Sequence, residues 1–238
     1  MEKIMTYETL RSFAYSNDRL IQGEIKGIVL NFYGLGGAAI HNTDPGDAIE
    51  YAEKGILYVM PYYNPWCWMN RQAVAYTDEI ISVLCQKYNL DTSVKIVSTG
   101  GSMGGLSALV YCVYARLTPC ACVTNCPVCD LPYHLTERVD LPRTLYSAFY
   151  DAENFDAALC EHSPLHLVQD MPRVPYHIFH CEADQAVNID QHSARFVSAM
   201  RAAGYELTYD TVPDAAHCKL SPEAWEKFDG FIIAAFDA

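Results

Sequence analysis

The stretch STGGSMGG, residues 98–105, decides the fold of this chain. It contains the pattern G-x-S-x-G, which begins at Gly100 and has Ser102 at its centre. An apolar run at residues 94–97 precedes it and indicates a buried strand, whereas the residues after Gly105 are typical of a helix. A serine placed between a strand and a helix in this way predicts a sharp turn with an exposed hydroxyl, the arrangement of a nucleophilic serine.

The glycines of this turn have a steric purpose. The predicted turn holds Ser102 in a strained backbone conformation, and Gly100 and Gly104 lack the Cβ atoms that would clash there. The helix that follows directs its first backbone N–H groups towards a developing anion. A phosphate-binding loop would instead carry a GK[ST] or G-x-G-x-x-G pattern, and this stretch has neither.

The rest of the chain alternates between predicted strands and predicted helices. Apolar β-type runs occur at 27–33, 55–60, 94–99, 120–124, 174–180 and 206–212, and helical patterns at 46–54, 72–88, 103–116, 189–203 and 222–236. This alternation indicates an α/β fold, a mostly parallel central sheet with helices on both faces. Residues 5–25 are expected to add one or two strands at the sheet edge, such as an antiparallel hairpin.

We expect one domain over residues 1–238, because this length suits a single large core and no linker or repeat interrupts it. The segment 130–172 breaks the alternation, with helical pieces around 141–149 and 154–159. Segments this long between strands are usually functional or carry structure of their own. We interpret it as a cap insertion over the end of the sheet; a scaffold decoration away from the site is the alternative.

A serine hydroxyl is a weak nucleophile unless a base accepts its proton. In this architecture an acid and then a histidine follow the serine along the chain. His217 lies between the last predicted strand and the last predicted helix, where that order places the base. Asp184 follows the strand at 174–180 and is the predicted acid, which would orient His217 and stabilise its imidazolium. Glu182 and Asp130 are the alternatives for the acid.

The mechanism also requires backbone donors for the anion that forms on the attacked carbonyl, an oxyanion hole. The residue after the nucleophile, Met103, supplies the first N–H. The second is expected from the glycine-rich turn after the strand at 27–33, with Leu35 favoured and Gly36 next. A plain turn is the alternative for this segment.

Aromatic residues are concentrated in the loop 61–71, which follows a predicted strand and is therefore expected near the serine. Tyr63, Trp66 and Trp68 of this loop, together with Tyr33, are the predicted substrate-binding residues. They would form an aromatic wall for an acyl or alcohol group. Packing of a long loop is an equally weighted alternative.

The bulk composition excludes several kinds of partner. The net charge is −13 and no Lys/Arg-rich stretch occurs, which argues against nucleic acids and anionic membranes. No apolar run approaches the roughly 18 residues needed to span a bilayer, and the amino terminus lacks the apolar segment of a signal peptide. We expect a cytoplasmic protein with a small-molecule ester as partner, no cofactor and no metal; a homodimer is compatible with the sequence.

Ten cysteines occur, four of them between Cys120 and Cys129. Zinc sites with four cysteines usually contain two C-x2-C pairs, and only Cys126 and Cys129 form one here. Cys120 and Cys122 lie in an apolar run, where a thiol packs as a small hydrophobic group. We favour core packing for this cluster, with a reversible Cys126–Cys129 disulfide and a metal site as the alternatives.

The segments that carry Ser102, Asp184, His217 and the glycine-rich turn together resemble the α/β-hydrolase superfamily. The closest likeness is to its prolyl-oligopeptidase and dienelactone-hydrolase-like branch, which includes small acyl esterases. The resemblance covers roughly residues 27–236. It implies the α/β-hydrolase fold, with helices on both faces of the sheet and a small helical cap.

One motif places the acid within this resemblance. Ser163-Pro164 and the run at 175–187 are similar to the branch's pattern SP…P-x-L-I-x-H-G-x-x-D-x-x-V, which puts Asp184 at the position of the family acid. The sequence departs from the family at Cys181, where Gly is usual. It also departs at Tyr33, where many members have His in a His-Gly oxyanion motif.

We predict a serine hydrolase that cleaves carboxylic esters with an apolar or aromatic portion through an acyl-enzyme on Ser102. A peptidase or amidase with the same residues is the first alternative, and a binding protein built on the fold is the second. No Glu-Glu pair of the kind used by dipeptidyl peptidases occurs, and no β-propeller precedes the domain in this sequence. Both observations favour the esterase as the expectation.

Overall fold

The computed structural model describes residues 4–37 and 40–237. The strands of this part are β1 (Ala14–Ser16), β2 (Gly27–Phe32), β3 (Ile56–Pro61), β4 (Lys95–Gly101), β5 (Ala121–Asn125), β6 (Tyr176–Cys181) and β7 (Leu207–Val212). The α-helices are α1 (Gly46–Glu53), α2 (Arg71–Tyr88), α3 (Met103–Tyr114), α4 (Leu131–Glu137), α5 (Leu141–Ala148), α6 (Phe155–Glu161), α7 (Ser193–Ala202) and α8 (Pro222–Asp237). A short 3-10 helix, Leu10–Ser12, precedes β1.

The strands form one sheet in the order β1–β3–β2–β4–β5–β6–β7. All neighbours pair in parallel except β1, which runs antiparallel to β3 at one edge. The predicted α/β class with a mostly parallel sheet is confirmed. The expectation for residues 5–25 needs one correction: this segment contributes one short strand after a helical turn, and its partner is β3 rather than a second strand of a hairpin.

The core consists of two layers, one on each face of the sheet. Along β2 the side chains of Ile28 and Leu30 belong to the core layer that also contains residues of α2, α3 and α7, whereas Val29 between them belongs to the layer of α1 and α8. This alternation follows from the pleat, which turns successive side chains to opposite faces. Burial on both faces explains why the central strands are continuous apolar runs in the sequence.

The segment 130–172 forms three short helices, α4, α5 and α6, one more than its pattern indicated. It packs against the loop that follows β3. The indole Nε1 of Trp68 donates a hydrogen bond to Thr144 Oγ1 (3.1 Å), and Asn70 Nδ2 donates to the carbonyl of Ala148 (2.8 Å). Its role as a cap over the site stays a prediction. None of the described helices combines the length and apolar character needed to cross a bilayer.

Candidate active site

Ser102 occupies the turn between β4 and α3 with φ 60° and ψ −126°. This is a backbone conformation that residues with a side chain rarely adopt. The N–H of Ser102 donates to the carbonyl of Asn125 at the end of β5 (3.0 Å). The carbonyl of Ser102 accepts from the N–H groups of Leu106 (3.1 Å) and Val128 (3.3 Å). These bonds hold the strained residue in place, as expected when the surrounding structure imposes a conformation.

The two glycines predicted to relieve this turn are required by packing. A Cβ added to Gly104 would lie 2.1 Å from the carbonyl oxygen of Phe32 on β2. One added to Gly100 would lie 2.5 Å from the carbonyl oxygen of Gly104. Both contacts are with backbone atoms, which have no rotamer with which to move away. The steric interpretation of the pattern is therefore confirmed.

The predicted acid and base are in direct contact. Nδ1 of His217 lies 2.6 Å from Oδ2 of Asp184. Asp184 follows β6 and His217 lies in the loop between β7 and α8, so two adjacent parallel strands bring them to the same edge of the sheet. The side chain of Asp184 is fully buried, whereas that of His217 is 28% exposed. The bond to a carboxylate places the proton on Nδ1 and leaves Nε2 of His217 able to accept one.

The surroundings of Asp184 keep its carboxylate ionised. Burial alone would raise the pKa of Asp184, but hydrogen bonds from His180, from His217 and from the backbone N–H groups of Val187 and Ala186 hold it well below its usual range. The N–H groups of Ala186 (2.8 Å) and Val187 (3.0 Å) both donate to Oδ1. Nε2 of His180 lies 3.4 Å from Oδ2. Sequence reasoning missed His180, although its four-residue spacing from Asp184 is visible in the sequence.

The effect on His217 has the opposite sign. Burial disfavours its charged form and is the largest single influence, but the hydrogen bond that His217 donates to Asp184, the contact with Cys126 and the negative charge of Asp184 together raise the pKa of His217 to about 9. The Asp184 carboxylate therefore stabilises an imidazolium at His217. That is the charge the ring would carry after taking a proton from a nucleophile.

The two alternative acids have other partners. Glu182 is exposed and accepts a hydrogen bond from Thr211 Oγ1 (2.7 Å). Asp130 accepts from Tyr133 N–H (3.2 Å) at the start of α4 and from the guanidinium of Arg195 (2.9 Å). Of the three carboxylates considered from the sequence, Asp184 is the one bonded to His217.

The carbonyl of Asn125 links the serine turn to the histidine loop. It accepts from the N–H of Ser102 and, at 3.7 Å, from the thiol of Cys218. The same thiol lies 3.7 Å from Nε2 of His217, and a Cβ on Gly101 would lie 3.1 Å from its sulfur. The structure thus brings the segments of Ser102, Asp184 and His217 together at one edge of the sheet.

The glycine-rich turn after β2 lies beside the serine. A Cβ on Gly34 would be 3.8 Å from the Cβ of Ser102. The N–H of Gly36 donates to the carbonyl of Pro65 (3.0 Å), so in this arrangement it is engaged elsewhere. Among the described residues, none accepts a hydrogen bond from the N–H of Leu35 or of Met103. These two groups remain the proposed oxyanion donors.

The predicted aromatic wall divides into buried and accessible residues. Trp68 is 0% exposed and Tyr63 is 8% exposed, and the hydroxyl of Tyr63 accepts a bond from the N–H of Tyr33 (3.0 Å). Both rings pack in the core, so substrate contact by Tyr63 or Trp68 would require this loop to move, and the two contacts stay predictions. Tyr33 and Trp66 are half-buried, and Trp66 faces the guanidinium of Arg143 on α5 at 5.3 Å. Of the four predicted substrate contacts, Tyr33 and Trp66 are the two with accessible rings.

The cysteines are all free thiols in the described part of the chain. Cys126 does not pair with Cys129, as the disulfide alternative would require. Its sulfur accepts hydrogen bonds from the N–H of Cys181 (3.3 Å) and of Cys218 (3.4 Å). Sequence reasoning missed this contact, because Cys126 and Cys218 lie 92 residues apart. Only the adjacency of Cys218 to His217 was visible in the sequence.

The sheet has the α/β-hydrolase fold, and its carboxyl edge carries a strained serine together with a carboxylate–histidine pair. The family model described as the prolyl oligopeptidase family matches residues 74–233. The chain belongs to the prolyl oligopeptidase family. No curated protein sequence is significantly similar to it.

Solved structures show the same fold at low sequence identity. The acylaminoacyl peptidase of Pyrococcus horikoshii matches with a TM-score of 0.69 and 16% identity, over 90% of this chain and 37% of that one. Esterase 2 of Thermogutta terrifontis matches with a TM-score of 0.65 and 20% identity, over 93% of this chain and 88% of that one. Esterase B of Lactobacillus Rhamnosis matches with a TM-score of 0.68 and 13% identity, over 91% and 77%. The chain thus spans about a third of the length of the peptidase structures it resembles.

Proposed function

We propose that this protein hydrolyses carboxylic esters through an acyl-enzyme on Ser102. The observation that carries the proposal is the 2.6 Å bond between Asp184 and His217, at the sheet edge where the glycine-lined turn holds Ser102. A strained serine, an oriented imidazole and a buried, ionised carboxylate are the three parts that acyl transfer requires. The half-buried rings of Tyr33 and Trp66 support a substrate with an apolar or aromatic portion.

Each step of the reaction has a residue to perform it. Nε2 of His217 accepts the proton of Ser102 Oγ while Oγ bonds to the ester carbonyl carbon. The N–H groups of Met103 and Leu35 stabilise the negative charge on the carbonyl oxygen. The imidazolium then protonates the departing alcohol as the ester C–O bond breaks. A water molecule, deprotonated by His217, attacks the acyl-enzyme and releases the acid from Ser102.

Peptide or amide hydrolysis by the same residues is the second candidate, because the family and several of the similar structures bear peptidase names. Small esterases also share the fold, so the likeness to solved structures is compatible with either class of substrate.

The test compares nitrophenyl esters with aminoacyl nitroanilides at equal concentration. We expect a higher kcat/KM for the esters, and a loss of about 10⁵-fold or more in kcat for Ser102→Ala. A fluorophosphonate probe should label the wild type and not Ser102→Ala. A clear preference for the anilides would show that the substrate is a peptide or an amide, and the proposal of ester hydrolysis would be wrong. Labelling of Ser102→Ala, or a folded wild type that resists the probe, would remove Ser102 as the nucleophile.

A further inference from the structure

Three metal-ligating side chains meet beside the proposed nucleophile. The sulfur of Cys126, a ring nitrogen of His217 and the sulfur of Cys218 all lie within 4.8 Å of one another. Nε2 of His217 and Sγ of Cys218 are 3.7 Å apart. In a tetrahedral zinc site, metal–ligand bonds of about 2.0 and 2.3 Å place a nitrogen and a sulfur about 3.5 Å apart. The spacing therefore suits a common metal ion with little movement.

We propose that Cys126, His217 and Cys218 form an inhibitory site for a thiophilic divalent cation, Zn²⁺ or Cd²⁺. Two thiolates and one imidazole are the ligands that such ions prefer, and they disfavour Mg²⁺ and Ca²⁺, which take oxygen ligands. Binding displaces one proton from each thiol to solvent. Three protein ligands leave a fourth position for water.

The groups around these ligands have the arrangement that supports metal binding. Cys126 Sγ accepts two backbone N–H bonds, from Cys181 (3.3 Å) and Cys218 (3.4 Å), and such bonds are the usual outer partners of a metal-bound sulfur. Asp184 holds the proton of His217 on Nδ1, so that Nε2 presents its lone pair to the two sulfurs. A carboxylate behind a ligating histidine is the usual outer partner in zinc sites.

In each of two other clusters among the described residues, one histidine lacks a free lone pair for a metal ion. In the cluster of His134, Glu137 and His192, Nδ1 of His192 accepts the N–H groups of Cys129 (3.1 Å) and Asp130 (3.2 Å). Its Nε2 must therefore carry the proton it shares with Glu137 (3.0 Å) and is not available to a metal.

The cluster of Cys126, His180 and Asp184 is excluded for the same reason. Nε2 of His180 faces the carbonyl of Val187 at 3.1 Å, and a carbonyl only accepts. Nε2 therefore holds a proton, and Nδ1 is bonded to the hydroxyl of Ser193 (2.7 Å). Neither ring nitrogen of His180 has a lone pair to offer an ion.

The ion would compete with catalysis for a single atom. Nε2 of His217 is the base of the proposed reaction, and a bound cation occupies the lone pair that would accept the proton of Ser102. This consequence rests on the proposed ester hydrolysis, whereas the binding itself does not. We expect saturating Zn²⁺ to lower the hydrolysis rate at least about tenfold, because an unassisted serine hydroxyl is a weak nucleophile. A chelator should restore it.

Binding is tested directly with Co²⁺ and Zn²⁺ on the reduced protein. One equivalent of Co²⁺ should produce thiolate-to-cobalt charge-transfer absorption and the visible bands of tetrahedral cobalt, and Zn²⁺ should displace it. Ser102→Ala should bind Co²⁺ as the wild type does, although it does not hydrolyse esters. If the wild type shows no thiolate–cobalt absorption, the site does not exist. If the spectrum appears but no ester is cleaved, the proposed function fails and the metal site stands.

Three cysteine variants locate the ion. Cys218→Ser and Cys126→Ser should each lose the charge-transfer absorption and resist Zn²⁺, measured as the ratio of rates with and without the ion. Cys126 is buried and Cys218 is half-buried. If Cys126→Ser fails to fold, Cys218→Ser alone tests the site. Cys85→Ser on α2 is the matched control and should behave as the wild type. One equivalent of Co²⁺ bound to Cys218→Ser with an unchanged spectrum would overturn the assignment, as would Zn²⁺ that binds without inhibiting.

Discussion

Three residues around the site share an unusual backbone conformation. Ser102, Cys126 and Cys218 have φ values of 60°, 47° and 57°, in the left-handed region that side chains normally avoid. Each such residue costs on the order of 1 kcal/mol or more, so hydrogen bonds to neighbouring strands must hold it. All three residues lie at one edge of the sheet. The strain that positions the hydroxyl and the two thiols therefore lowers the local stability at that edge.

At the residue scale, Asp184 sets both the orientation and the charge of His217. In Asp184→Asn we expect kcat/KM for an ester to fall about 10³- to 10⁴-fold, because the imidazole loses the partner that fixes its tautomer. The activity of the wild type should decline as the pH falls through the raised pKa of His217, where the base becomes protonated. Without the carboxylate that pKa falls, so the acidic limb should move to lower pH.

A pH–rate profile of kcat/KM measures both effects. Glu182→Gln is the control, since this exposed carboxylate bonds to Thr211 and not to His217. Its profile should coincide with that of the wild type. An acidic limb that stays in place in Asp184→Asn would show that another group controls the protonation of the base.

At the scale of elements, the turn between β4 and α3 depends on how closely α3 approaches β2. Gly104→Ala would place a methyl group 2.1 Å from the carbonyl oxygen of Phe32. We expect this variant to lose about 2–3 kcal/mol of stability by overpacking. It should also lose most of its ester hydrolysis, because α3 must move away and displace Ser102.

Gly230→Ala on α8 is the matched control, because nothing lies within 4 Å of its added Cβ. In a helix interior this change should stabilise the protein by about 0.5–1 kcal/mol. Thermal unfolding and ester hydrolysis of the two variants give the comparison. A Gly104→Ala protein with the Tm and activity of the wild type would mean that the turn tolerates a wider separation of α3 from β2.

At the scale of the whole molecule, Glu137 connects the helical segment 130–172 to the loop before α7. Its Oε2 lies 2.6 Å from Nδ1 of His134 and 3.0 Å from Nε2 of His192, and its Oε1 accepts the N–H of Asn188 (2.8 Å). In Glu137→Gln, the side-chain NH₂ group would face another hydrogen-bond donor in either orientation of the amide. We expect a loss of about 1–3 kcal/mol from the unpaired buried groups.

Thermal unfolding at neutral pH measures this loss, with the exposed Glu226→Gln as control. The Tm of Glu226→Gln should equal that of the wild type, whereas that of Glu137→Gln should fall by several degrees. Equal Tm values for Glu137→Gln and the wild type would show that the segment is held by its apolar contacts alone.

The sequence determined the features that depend on local pattern. Apolar spacing predicted β2 to β7 and the helices α1, α2, α3, α7 and α8, because strands buried on both faces and helices with one apolar face have distinct periods. Gly100 and Gly104 predicted the turn at Ser102, because the steric limit acts within a few residues. Chain order predicted the Asp184–His217 pair, since parallel strands bring their carboxyl ends to one edge.

Only the tertiary structure decided features that join distant residues. Trp68 was expected at the substrate, but it is buried because α5 packs over it, and no local pattern reveals that partner. The N–H of Gly36 donates to the carbonyl of Pro65, which lies in a different loop. Cys126 lies 92 residues before Cys218 in the chain, yet the two are in contact and His217 is close to both. No local spacing in the sequence predicts this cluster. Local patterns fix the elements, whereas packing between elements fixes which side chains share a site.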